Sequence, residues 1–473
     1  MEYQRLADVQ RDLSAGSLVL SDLVDSYLAR IEAGQSLNLF VEVYAAEARA
    51  RAVEIQRKWD QGQAGRLAGL VLGVKDVICH QGHGLTASSR ILEGFTSQFT
   101  ATALQRLLDE DAIVIGRQSC DEFAMGSSNE NSVYGPARHP RDPDRVPGGS
   151  SGASAAAVAA GMCLASLGSD TGGSVRQPAA FCGTVGLKPT YGRISRWGLI
   201  AYASSFDQIG PITHTPEDAA LLLQIMAGAD QRDQTAATEP VPDYPAEVET
   251  APSGPFTFGV IAEVLQSPGL DPSVKAVFQQ QVERLQAAGH QVVELHFSLL
   301  EYLVPCYYIL TTAEASSNLS RYDGVRYGYR SPEAQDLEEL YTQTRSQGFG
   351  PEVQRRIMLG NFVLSAGYYD AYYTQAMKVR RLIQEQTRQM LGQCDALLMP
   401  TTPTTAFRLG EKTDDPIEMF LSDVFTVHAN LAGVPAVSVP AGTDPEGLPV
   451  GLQLMGQAFE EGKLLVAARA VMG

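Results

Sequence analysis

VPGGSSGASAAAVAAGMCLASLGSD, residues 146–170, is the stretch whose reading decides the fold. It opens on a Pro-Gly-Gly turn. An Ala-rich segment of high helix propensity follows. A short apolar run bounded by Gly and Asp then reads as a buried strand. The same alternation extends to both sides. LAGLVLGVKDV (67–77) reads as a buried strand leading to Lys75, TALQRLLDED (102–111) as a helix and AIVIG (112–116) as a strand. Strands alternating with helices imply an α/β fold, with one sheet carrying helices on both faces.

Upstream, LSDLVDSYLARIEA (20–33) predicts an amphipathic helix capped by Ser21 or Asp22, with Leu23, Tyr27 and Ile31 on one face. From about 228 to 255 the chain turns rich in Pro, Thr and acidic residues, the pattern of a surface excursion or linker. Beyond it come a strand FTFGVI, a helix near 273–288, a strand QVVEL, a long helix around 367–391, and the strands DALLMP, PAVSVPAG and PVGLQLMG. These late strands are too few for an independent core. One sheet and a single domain over 1–473 are therefore expected.

Lys and Arg number 36 against 54 Asp and Glu, a net charge of −18 over 473 residues. So acidic a surface does not grip nucleic-acid phosphates over a broad face, so any RNA would be held by a partner. The N-terminus MEYQRLADVQRDL is polar, and no run of about 18 apolar residues occurs. No export signal and no membrane span are expected, which places the chain in the cytoplasm. The six Cys (Cys79, Cys120, Cys163, Cys182, Cys306, Cys394) form no CxxC pair and read as reduced thiols. The seven His show no zinc-ligand spacing.

The chemistry is concentrated in two Gly-Ser turns, PGGSSGAS (147–154) and SDTGGS (169–174). Ser150 and Ser174 lie 24 residues apart, enough for one helix and one strand to return the chain to the same sheet edge. Three readings compete. A phosphate loop needs GxxxxGK[ST] or GxGxxG, and neither turn has it. A plain helix cap needs only Ser151 or Ser154. Nucleophilic catalysis needs a base for the serine hydroxyl. His139 and His214 sit in turn-like contexts that favour structural roles, so no His base is at hand. Lys75 remains as the base, since a buried strand end lowers an amine's pKa. The alternative for Lys75 is a snorkelling strand-end lysine.

With LGSDTGGSVRQPAAFCGTVGLKPTYGR (167–193) added, the chain resembles the amidase signature family over nearly its whole length. DEFAMGSSNENSVYGPARHP, YGRISRWGLIAYASSFDQIGPITHT, EASSNLSRYDGVRYG, RRIMLGNFVLSAGYYDAYY and ANLAGVPAVSVPAG narrow the resemblance to the family's glutaminase subunits, the A subunits of aspartyl/glutamyl-tRNA amidotransferases. The resemblance implies a mixed central β-sheet covered by helices on both faces. It implies a triad of Ser174 as nucleophile, Ser150 as bridging serine behind a cis peptide bond, and Lys75 as base. Backbone N–H groups of Thr171, Gly172, Gly173 and Ser174 would form the oxyanion hole. Glutamine would be held by Arg356 and Asp423 with Tyr307 nearby; Arg355 is the adjacent alternative to Arg356, and a surface or helix-pairing role is the alternative for each. No cofactor belongs to this chain: ATP and Mg would be used by a partner. The expected partners are the amidotransferase's B and C subunits, with misacylated tRNA held mainly by the B subunit. A stand-alone amidase acting on other small amides and a catalytically idle scaffold are the competing functions. One departure stands out: the family's GGSSGGS reads GGSSGAS here, and Ala153 fits if it sits in the helix.

Overall fold

The computed structural model describes residues 3–251, 254–413 and 416–473. Among these, eleven strands form one sheet: β1 (Phe40–Val43), β2 (Val71–Lys75), β3 (Ile113–Gln118), β4 (Ala165–Asp170), β5 (Val185–Lys188), β6 (Gln208–Thr213), β7 (Thr257–Ile261), β8 (Gln291–Leu295), β9 (Ala396–Pro400), β10 (Ala436–Thr443) and β11 (Pro449–Met455). Their spatial order is β1-β3-β2-β4-β6-β5-β10-β11-β9-β7-β8. The sheet is mixed. β3, β2 and β4 run parallel, as do β9, β7 and β8, while the strands between them pair antiparallel.

The sheet is covered on both faces. Every residue of β2, β3, β4, β5, β6, β9 and β11 is buried, and successive side chains point to opposite faces. The covering layers are helices, as the alternation of elements implied. Helix Gly152–Ala159 packs on β2, β4 and β6, and helix Pro216–Met226 on β5 and β6. Helix Gly152–Ala159 is buried almost all round because Ala and Gly leave no bulk to keep it off the sheet. Ala153 lies within it at right-handed geometry, so the departure from the family pattern is accommodated.

Three local expectations change. Helix Leu20–Ala33 buries Leu23, Tyr27 and Ile31, but neither Ser21 nor Asp22 caps it. The helix starts before them, and the Leu20 N–H donates to Gln56 Oε1 at 3.0 Å. The segment 228–255 is anchored rather than a bare linker. It carries helix Tyr244–Thr250, started by Asp243, with Tyr244 and Val248 fully buried. The Tyr244 hydroxyl donates to Glu461 Oε2 at 3.0 Å. Residues 252–253 of that segment lie outside the described residues. The late long helix begins at Gln375, behind a wide π-turn at Asp370–Thr374. Among the described residues no helix is long and apolar enough to cross a membrane. All six cysteines are free thiols.

Candidate active site

Because β2, β3 and β4 are parallel, Lys75, Gln118 and Asp170 end their strands at one edge of the sheet. β6 runs antiparallel to β4 and sets Gln208 opposite Asp170. Ligand sites of α/β sheets form at such carboxyl ends. Gly73 in β2 has a packing reason: a Cβ there would lie 2.0 Å from the Gln118 amide nitrogen.

The turn from 147 to 151 arrives at this edge, and its Gly149–Ser150 peptide bond is cis. Lys75 Nζ lies 2.7 Å from Ser150 Oγ, 2.9 Å from Ser151 Oγ and 3.0 Å from Ser169 Oγ. The amine is fully buried. Burial lowers its pKa to about 8, and three neutral hydroxyls do little to hold the charged form. Ser174 follows β4 in the Thr171–Ser174 turn and is the most exposed of the three at 8%. The Ser151 N–H donates to the Ser174 carbonyl oxygen at 3.1 Å, which ties the two Gly-Ser turns together. The fold therefore brings Lys75 and Ser150 into contact and lays the Ser174 turn beside them.

A buried ion pair holds that turn. Asp170 accepts from Arg176 Nε (3.0 Å) and Nη2 (3.1 Å), from Asn430 Nδ2 (2.9 Å), and from the N–H groups of Gly173 (2.9 Å) and Val175 (3.2 Å). Burial pushes the Asp170 carboxyl up, but the Arg176 guanidinium and these donors bring it down to about 2. Arg176 also donates to the Thr426 carbonyl (2.9 Å) and to Gln453 Oε1 (2.8 Å). One oxyanion donor expected from the sequence is thereby already committed: the Gly173 N–H belongs to Asp170. Gly173 has φ +130, and a Cβ there would meet the Thr426 side chain. Removing one partner of a buried pair typically costs about 3–5 kcal/mol. Arg176→Leu is therefore expected to lower stability by about that amount. The midpoint of chemical denaturation measures it, and a shift worth under about 1 kcal/mol would contradict the clamp.

The residues expected to hold glutamine surround the same turn. Tyr307 stands against Gly172, where a Cβ would come within 2.4 Å of its hydroxyl. Thr426 Oγ1 donates to the Gly172 carbonyl at 2.7 Å, and the Thr426 N–H to that of Asp423 at 3.0 Å. Asp423 thus sits one turn from the Ser174 loop. Its Oδ2 accepts from the Ser127 hydroxyl (2.6 Å) and the Tyr308 hydroxyl (3.3 Å), and burial pushes its carboxyl up to about 7. Arg356 is buried against the rings of Tyr202, Tyr308 and Phe420. Its Nε donates to Glu352 Oε1 and its Nη1 to the Tyr202 hydroxyl, both at 2.8 Å. Arg355 points outward, its side chain 49% exposed and paired with Glu352. Burial thus separates the two arginines that the sequence left as alternatives. Arg356 opens onto a cavity of about 170 Å³ whose walls include Gly126, Ser128, Glu352, Lys412 and Phe420.

The sequence profile of the amidase family (described as "Amidase") matches residues 22–465. The chain belongs to the amidase family. This amidase is 49% identical to the A subunit of glutamyl-tRNA(Gln) amidotransferase from Prosthecochloris aestuarii, over 100% of the chain and 99% of that protein. It is 50% identical to the protein of the same name from Acidobacterium capsulatum, with the same coverage. Among solved structures it is similar to the A subunit of glutamyl-tRNA(Gln) amidotransferase from Thermotoga maritima, with TM-score 0.81 and 40% identity over 100% of this chain and 96% of that one. It is also similar to the peptide amidase of Stenotrophomonas maltophilia, with TM-score 0.83 and 32% identity over 98% and 96%.

Several residues of the amidase site escaped the sequence reading. Ser151 reads as a helix cap, yet its hydroxyl turns to Lys75 and to the Ser169 carbonyl (3.1 Å), and makes no cap bond. The helix start is served by Asn129, whose Oδ1 accepts from the Ala153 N–H at 2.9 Å. Ser169 had one signal: a serine inside an apolar strand, just before the Gly-Gly turn. Tyr202 and Asp207 had none. Asp207 accepts from Thr171 Oγ1 (2.6 Å) and from the Tyr202 N–H (2.9 Å), linking the Ser174 turn to the Arg356 side. His139 is buried, with Nε2 2.9 Å from the Phe181 carbonyl oxygen, a structural role away from Lys75. Among the described residues no group of three or more His, Cys, Asp or Glu could hold a metal ion.

Proposed function

We propose that this amidase is the glutaminase subunit of a tRNA-dependent amidotransferase. The observation that carries the chemistry is the buried 2.7 Å contact of Lys75 Nζ with Ser150 Oγ, beside the Ser174 turn. The names of the half-identical, full-length relatives support the assignment to an amidotransferase.

In this reading Ser174 Oγ attacks the side-chain amide carbon of glutamine. Its proton passes through Ser150 Oγ to the neutral amine of Lys75. The developing oxyanion is held by the N–H groups of Thr171, Gly172 and Ser174, since Gly173 donates to Asp170. The proton returns through the same relay to the leaving nitrogen, and ammonia departs. Water then attacks the acyl-enzyme along the same path and releases glutamate. Arg356 holds the α-carboxylate and Asp423 the α-ammonium of glutamine, with Tyr307 packed alongside.

The ammonia is used by a partner. The amidotransferase's B subunit activates Glu-tRNA(Gln) or Asp-tRNA(Asn) with ATP and Mg and amidates it; the C subunit completes the assembly. The net charge of −18 supports leaving most of the tRNA contact to the B subunit. This chain needs no cofactor of its own, because its side chains supply both nucleophile and base. The reaction takes place in the cytoplasm.

The test is co-expression with candidate B and C subunits. Glutamine hydrolysis is measured with and without misacylated tRNA and ATP. Glutamate release stimulated by tRNA and ATP is expected. Broad hydrolysis of varied amides with no stimulation and no partner would show a stand-alone amidase instead. Within that assay, Arg356→Ala is expected to raise the KM for glutamine about tenfold or more, as for loss of a charge-assisted contact. Amidation driven by added ammonia stays unchanged. An unaltered KM would remove Arg356 from the glutamine site.

A further inference from the structure

Arg356 spends part of its fork on protein partners. A carboxylate presents two oxygens, and arginine usually meets them with a two-pronged fork. Here Nε is taken by Glu352 and one N–H of Nη1 by the Tyr202 hydroxyl. The other N–H of Nη1 and both of Nη2 are left to face a ligand, so a donor on another wall of the cavity would add to the fork rather than replace it.

The cavity beside Arg356 supplies one. Its wall includes Lys412, which is only 7% exposed. Lys412 Nζ donates to Ser422 Oγ at 3.2 Å and lies 4.6 Å from the centre of the Phe407 ring. The carboxylates of Glu418, Glu411 and Asp423 act on it from a distance and favour the charged form. Burial lowers the pKa of this amine, and an incoming carboxylate offsets that cost. The wall carries three cations, Arg355, Arg356 and Lys412, against two carboxylates, Glu130 and Glu352. Ser128 also lines the cavity, and its hydroxyl is buried with no hydrogen-bond partner among the described residues. A buried unpaired hydroxyl on the wall of a cavity that also holds a buried cation marks a place where an anion's oxygens fit.

We propose that Lys412, with Ser128, binds the second oxygen of the glutamine α-carboxylate and makes the site specific for a free amino acid. This rests on the glutamine reading above. Lys412 acts at the end of the substrate remote from the bond that breaks. Its loss raises KM and leaves the chemical step alone.

The experiment uses the assembled complex with two substrates, glutamine and glutaminamide, whose α-carboxyl is uncharged. For Lys412→Met, KM for glutamine is expected to rise about tenfold or more, with kcat within about twofold of the parent. KM for glutaminamide stays as in the parent. Lys412→Arg keeps most of the affinity for glutamine. Ser128→Ala, a smaller change, raises KM for glutamine by about threefold with the same indifference to glutaminamide, and serves if Lys412→Met does not fold. Equal changes for both substrates would show a merely structural lysine and overturn the proposal. So would an unchanged KM for glutamine in both Lys412→Met and Ser128→Ala. An unsubstituted complex that does not hydrolyse glutamine would overturn the earlier reading, and this one with it.

Discussion

Ser174→Ala is expected to lower glutamine hydrolysis by about 10⁴-fold or more, the scale seen when a serine nucleophile is removed. The fold gives no reason for stability to change. What Ser174 contributes to its surroundings is a carbonyl oxygen, which accepts from the Ser151 N–H, and alanine keeps it. The Asp170–Arg176 clamp that holds the turn does not involve the Ser174 side chain. The variant should therefore denature like the parent. Its complex should still amidate misacylated tRNA from added ammonia, because that route bypasses the acyl-enzyme. A steady-state assay of glutamate release decides the matter. Retention of even a tenth of the parent rate would mean that another group attacks the amide.

Lys75→Met is expected to cost about 10³-fold or more in kcat/KM, through loss of the base. Methionine nearly matches the lysine stem in size and brings no charge, so the buried site needs little repacking. Ser151 retains the Ser169 carbonyl as a partner. The pH dependence separates a base from a structural amine. A base must be neutral, and burial puts the Lys75 pKa at about 8. The rate of the parent should therefore climb as pH rises through about 8, as the neutral fraction grows, and fall away below it. The residual rate of Lys75→Met should lack that limb. Lys75→Arg should not rescue, because a guanidinium stays charged. A variant that keeps the limb would place the titrating group elsewhere.

Much of this architecture was legible because it is local. The strand 71–75, the Ala-rich helix and the strand 165–170 carry their period and their turn residues in the sequence itself. So did the two Gly-Ser turns and the lysine at a strand end. What stayed hidden depends on long-range packing. Arg355 and Arg356 are neighbours in a helix, and only the rings of Tyr202, Tyr308 and Phe420 decide which one is buried. Ser151 carries the local signature of a helix cap, and its true partner lies 76 residues away. The commitment of the Gly173 N–H to Asp170 likewise depends on the Arg176 and Asn430 contacts that fix the carboxylate.

The same long reach has a consequence for how the protein is made. Arg176 meets Thr426, Asn430 and Gln453, which follow it by 250 to 277 residues. A ribosome that has just finished the second Gly-Ser turn has not yet built the residues that hold Arg176 and Asp170. At about 5–20 residues per second, Gln453 follows Arg176 after roughly 14–55 s. During that interval the growing chain carries an ion pair that cannot yet be enclosed by its own later segments. The clamp that fixes the second Gly-Ser turn can therefore close only near the end of translation.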